Sequence, residues 1–153
     1  MSWGFPESEI EQMAEQQYGR NETVFDPLFT SAYNASFFAA SGDHADNVSW
    51  PACSPNVVGV GGTTLNFYSN GSFASETVWN EGNGWATGGG VSAYETEPSY
   101  QVSYGVQGTN GYRGVPDVSF DAGEGVSVYC SSPSEFGTGW LTLGGTSLGA
   151  SCC

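Results

Sequence analysis

The chain has 153 residues, 23 of them glycine, with 14% aromatic and 12% charged residues; 16 Asp and Glu face two arginines, for a formal net charge of -14 at pH 7. Lysine is absent, which excludes a phosphate-cradling P-loop, a Schiff-base enzyme and a Ser–Lys dyad. No cationic face for nucleic acid can be assembled, and no apolar run approaches the length of a membrane span.

Helix signals are confined to the first third. Pro6 precedes 7–15, a run of helix formers with acids at the positive end of the helix dipole, and Gly19 is the predicted stop. Asp26-Pro27 reads as N-cap and first residue of a second helix over 28–34. Residues 36–40 form an apolar strand that ends abruptly at Ser41-Gly42-Asp43, and a helix followed by a wholly apolar strand predicts a parallel sheet. From Pro51 the texture changes to short strands and glycine turns. Val57-Val58-Gly59-Val60 is apolar on both faces, and 63–68 and 72–78 flank the hairpin signal Asn70-Gly71. A flexible glycine-rich stretch follows over 82–90, in which Gly88-Gly89-Gly90 is read as a tight backbone passage. Further strands are expected at 117–120, 126–129 and 140–143, within one unit that no Pro-rich linker divides. The cysteines, at 53, 130, 152 and 153, show no C-x-x-C spacing for zinc; a Cys53–Cys130 bridge is compatible with an oxidising compartment.

The most informative segment for chemistry is Leu143-Gly144-Gly145-Thr146-Ser147-Leu148-Gly149-Ala150. A serine after Gly-Gly-Thr, behind an apolar strand, sits at a strand-to-helix turn, where free N–H groups favour developing negative charge. It reads equally as a nucleophile and as a glycine turn with a polar cap. The only histidine, His44, is read as a surface loop residue, so the candidate bases are carboxylates. A carboxylate stays ionised near pH 4, where imidazole is protonated. The composition suits acid as well, because with so few cations little positive self-repulsion builds up near pH 3.

Blocks in order along nearly the whole chain resemble the sedolisin family, subtilisin-folded serine-carboxyl peptidases active in acid. They are Ser2-Trp3-Gly4 with Glu7, Ala40-Ser41-Gly42-Asp43, Trp50 to Val57, Val60-Gly61-Gly62-Thr63-Thr64, Trp79, Gly88 to Ser92, Pro98-x-Tyr100-Gln101, Arg113 to Ser119 and Gly145-Thr146-Ser147. The resemblance implies an α/β fold, a subtilisin-like parallel sheet with flanking helices, incomplete at both ends and β-rich in its middle. It makes Ser147 the nucleophile and Asp43 the aspartate that stands where subtilisins carry an oxyanion-hole asparagine. Protonated in acid, that carboxyl would donate to the tetrahedral oxyanion. Ser2, Trp3 and Gly4 resemble one wall of the primary specificity pocket, and Ala40, Ser41 and Gly42 the facing wall. Asp117 is expected to be structural.

The family's Glu-x-x-x-Asp helix belongs upstream of Ser2, and its calcium loop downstream of Ser147. Residues 1–153 are therefore expected to be the central segment of one catalytic domain, with no metal or cofactor ligands of its own and calcium ligands lying beyond Cys153. The expected partners are a protein or peptide substrate and the missing N- and C-terminal parts of the same domain, with neither nucleic acid nor membrane. The family implies secretion, although the chain carries no signal-peptide profile. Without its base the chain is expected to be inactive alone, and with a parallel sheet lacking its first strands it is expected to be marginally folded. Two other readings stand beside this one: a non-catalytic peptide-binding relative, and a secreted Gly/aromatic-rich β module.

Overall fold

Pro6 and Gly19 bound the first helix as the sequence predicts. In the computed structural model, which describes residues 1–132 and 137–153, a two-residue strand β1 (Phe5–Pro6) leads into α1 (Glu7–Tyr18). Pro6 occupies the N-cap, and Gly19 closes the helix in the left-handed region (φ 60°), its N–H bonded to Glu15 O. Ile10 and Ala14, one turn apart, are buried with Glu7.

The second helix differs from expectation. It is a 3-10 helix over Glu22–Phe29 with Pro27 inside it, rather than a helix over 28–34 opened by Asp26. Asp26 does not cap; its Oδ1 accepts the hydroxyl of Ser54 at 2.6 Å. Tertiary packing sets this register, because Phe25 and Phe29 meet Trp50 edge-on or tilted at 5.9 and 5.4 Å.

The elements that follow are β2 (Phe37–Ala40), β3 (Ser49–Trp50), β4 (Val57–Phe67), β5 (Phe73–Val78), β6 (Gly90–Thr96), α2 (Ser99–Tyr104), β7 (Tyr112–Val115), β8 (Val118–Asp121), β9 (Val126–Cys130), β10 (Gly139–Leu143) and α3 (Thr146–Cys152). The parallel sheet is present: β2 pairs with β4 from Phe37↔Val57 to Ala40↔Val60, and β8 pairs with β4 from Val60↔Val118 to Thr63↔Asp121, both parallel. Beyond Thr63 the same strand turns to an antiparallel partner, β5. The two short strands expected over 57–60 and 63–68 are thus one, running through Gly61-Gly62. Side chains there would strike the neighbouring layers, since a Cβ would lie 2.6 Å from Pro116 at Gly61 and 2.8 Å from Ala122 at Gly62. Three further pairs are antiparallel: β1 with β3, β6 with β7, and β9 with β10.

Helix is not confined to the first third, since α2 and α3 lie beyond it. Glycines 88–90 form a tight passage, where a Cβ at Gly88 would collide with Ser41 O. The main apolar core joins Ile10, Phe29, Ala39, Trp50, Ala52, Val57 and Val115, and a smaller one of Ala40, Val60 and Ala150 seats α3 on the sheet. Arg113 is fully buried, bonded to both Asp117 oxygens at 2.7 and 2.6 Å and to the carbonyls of Gly114 and Val57. Asp117 also accepts the Gly59 N–H at 2.8 Å, so its part is structural. Cys53 keeps its thiol, which donates to Glu22, and the Cys53–Cys130 bridge is not formed.

Candidate active site

The C-terminal end of β2 and the start of α3 meet at one cleft, where ligands bind in open parallel sheets. After Ala40 the chain leaves the sheet through Ser41-Gly42-Asp43, and after β10 it passes Gly144-Gly145 into α3. Thr146 ties the two together. Its N–H and its hydroxyl both donate to Asp43 Oδ1 at 2.8 Å, and its Oγ1 accepts the Gly42 N–H at 3.1 Å. Gly145 is obligatory in this arrangement: its φ is 86°, and a Cβ would lie 2.6 Å from Asp43 Oδ2.

The N-terminal residues complete the cleft. The Met1 ammonium donates to Phe38 O at 2.5 Å and Met1 O accepts the Ala40 N–H at 2.9 Å, which lays the first residues alongside β2. Ser2, Trp3 and Gly4 follow, and a Cβ at Gly4 would come within 2.8 Å of Trp50 O. The cleft, about 280 Å³, is lined by Ser2, Trp3, Gly4, Ala40, Gly42, Asp43 and Ser147 among others.

Seven of the eight residues singled out in the sequence therefore share one cleft. The exception is Ser41. Its side chain is fully buried behind the cleft, between Ala40 and Gly42 that line it, and its hydroxyl donates to Gly88 O at 2.8 Å. The sequence reading missed the opposite rim. Trp85, half-exposed, lines the cleft with the exposed His44 stacked on it at 5.5 Å and 29°. A tryptophan inside a glycine-rich stretch was the available signal.

Ser147, the second residue of α3, donates its hydroxyl to Ser2 O at 3.2 Å. A backbone carbonyl cannot take a proton, so this contact positions the hydroxyl without activating it. His44 Nδ1 is turned toward Gly84 O at 3.4 Å. Among the described residues, one group of three close metal-type donors occurs, Glu7, Glu22 and Cys53, none of which lines the cleft.

No protein-family model matches the chain. It is 51% identical over 107 residues to sedolisin of Pseudomonas sp. (strain 101), covering 67% of this chain and 17% of that protein. It is 41% identical over 117 residues to xanthomonalisin of Xanthomonas sp. (strain T-22), and 36% identical over 137 residues to kumamolisin of Bacillus sp. (strain MN-32). These matches cover 67% and 80% of this chain, but 13% and 24% of the two relatives. Among solved structures, Pseudomonas sedolisin, described as a serine-carboxyl proteinase complexed with two molecules of pseudo-iodotyrostatin, superposes with a TM-score of 0.74 at 39% identity. That match covers 97% of this chain and 43% of that one.

Proposed function

From a chain that belongs to the sedolisin family, as a segment spanning a quarter or less of the relatives it matches in sequence, we propose the nucleophile and oxyanion half of an acid-acting serine endopeptidase. Ser147 Oγ would attack the carbonyl carbon of a peptide bond. Its proton would pass to a carboxylate supplied from outside these residues. Asp43 would donate to the oxyanion of the tetrahedral intermediate. The observation that carries the reading is the pinning of Asp43 Oδ1 by two donors from Thr146, in a cleft that Ser147 also lines. With Oδ1 fixed as an acceptor, a proton taken up in acid belongs on Oδ2, which turns that oxygen into a donor. The strand-like residues Ser2, Trp3 and Gly4 would hold substrate backbone on one side, with Ala40 and Gly42 opposite. Residues 1–153 would then be the central segment of a secreted catalytic domain whose remaining parts supply the base and calcium ligands.

The test uses the chain alone and the chain joined to its upstream and downstream coding sequence. The 153-residue chain is expected to leave a peptide library uncut between pH 3 and 5. The extended protein should cleave it, and Ser147→Ala should abolish that cleavage. A second reading, a peptide-binding relative without turnover, draws on the Ser147–Ser2 contact in place of a base. It gains if Trp3 and Trp85 fluorescence reports peptide binding while the extended protein cuts nothing.

A further inference from the structure

We propose that the N-terminal helical layer is latched to the rest of the fold by a buried cluster of carboxylic acids that must hold protons, so that the chain loosens as the pH rises. The cluster brings together Glu7 of α1, Glu22 and Asp26 of the 3-10 helix, Glu95 of β6 and the Cys53 thiol. Glu22 and Cys53 are 0% exposed, Glu95 2% and Glu7 6%.

Hydrogen bonding separates charged from neutral members. Glu7 accepts at both oxygens, from the Ser92 hydroxyl and from the Ala93 N–H, so it suits the carboxylate form. Asp26 accepts from Ser54. Glu22 Oε1 accepts the Cys53 thiol at 3.4 Å, but Glu22 Oε2 and Glu95 Oε1 are buried with no donor. A buried carboxylate oxygen without a donor is costly. As acids, Glu22 and Glu95 become donors, and each has a carboxylate beside it: Glu7 for Glu22 and Asp26 for Glu95.

Little compensating charge is at hand. Packed around the cluster are Glu11 from α1, Tyr94 from β6 and Arg113 from β7, with the exposed Glu15 near Tyr94. Glu11 is another acid, already accepting the Glu22 N–H at 2.7 Å. Arg113 is the one cation, and both its terminal nitrogens are engaged by Asp117. Burial first, then Glu7, pushes Glu22 up to about 9. Burial first, then Asp26, pushes Glu95 up to about 8. Burial raises Asp26 and the Cys53 thiol as well. Glu7, Glu22 and Cys53 do not make a cation site, because Glu7 has both oxygens taken and the thiol keeps its proton.

The direction follows from linkage. Both carboxyls have raised pKa values in the fold, so between about 4.5 and 8 the folded chain holds two protons that the unfolded chain has released. Their contribution is fully present below about pH 4.5 and is lost as the pH rises through 8 and 9.

The experiment is urea denaturation of the 153-residue chain at pH 4, 5, 6, 7 and 8, followed by tryptophan fluorescence, with Glu22→Gln, Glu95→Gln and the exposed control Glu9→Gln. The wild-type midpoint should fall steadily with pH, each buried variant should lose about half of that slope, and the control should track the wild type. The infrared carbonyl band of a protonated carboxylic acid should persist in the folded wild type at pH 6, and it decides the matter if a variant fails to fold. The proposal is overturned by a midpoint that is flat or rises with pH, by buried variants that keep the full slope, by absence of that band, or by a chain unfolded at pH 4. Zinc that stabilises the wild type at pH 7 but not Glu22→Gln would also overturn it, by showing a metal site.

Discussion

The two oxygens of Asp43 stand differently: Oδ1 holds the β2 loop to α3 through Thr146, and the proposed oxyanion donor is Oδ2. Substitutions separate the two. Asp43→Ala deletes both bonds and should lower unfolding free energy at pH 4 by about 2 kcal/mol, on the usual scale for buried polar contacts. Asp43→Asn keeps an acceptor for Thr146 and should cost less than about 1 kcal/mol by the same urea titration. Equal losses for the two variants would show that Thr146 does not depend on that oxygen. At this scale Gly-Thr-Ser and Ser-Gly-Asp were legible as turns, because a glycine-led strand-to-helix turn and an abrupt strand end both leave short local signatures. That Ser41 faces inward, and that Thr146 is the link between the motifs, was not legible, since the facing of a side chain is decided by what packs on the other side.

Among the elements, β7 carries the costliest side chain to disturb. Arg113 is a fully buried guanidinium whose partner, Asp117, also fastens the β4 backbone at Gly59. Arg113→Met would leave that carboxylate inside without its cation, and destabilisation of about 3–5 kcal/mol is expected from chemical denaturation. A change under about 1 kcal/mol would mean that water reaches Asp117. The sequence marked α1 well, because a proline start and a glycine stop act locally. It misplaced the 3-10 helix, where the aromatic packing of Phe25 and Phe29 on Trp50 outweighs the helix-starting habit of Asp-Pro. It left out β6, α2 and β7, which are short and mix polar with apolar residues in no clear apolar period.

Over the whole molecule, several strands keep apolar side chains in solvent. Val118 and Phe120 on β8, Val78 on β5 and Trp140 on β10 remain exposed, the last two at 72% and 74%. Apolar surface of this kind is usual for a contact face. The continuity of β4 has a kinetic consequence. Its far half pairs with β5 across a short turn, whereas its near half must wait for β2 and for β8, more than fifty residues downstream. Loop closure favours the nearby partner, so the β4–β5 hairpin should form first and template the parallel strands afterwards. Pulse-labelled hydrogen exchange during refolding at pH 4 would then protect the amides of Thr63 to Phe67 before those of Val57 to Val60. The strand would be zipped from its far end back toward the cleft between β2 and α3, which would be the last part of the sheet to assemble.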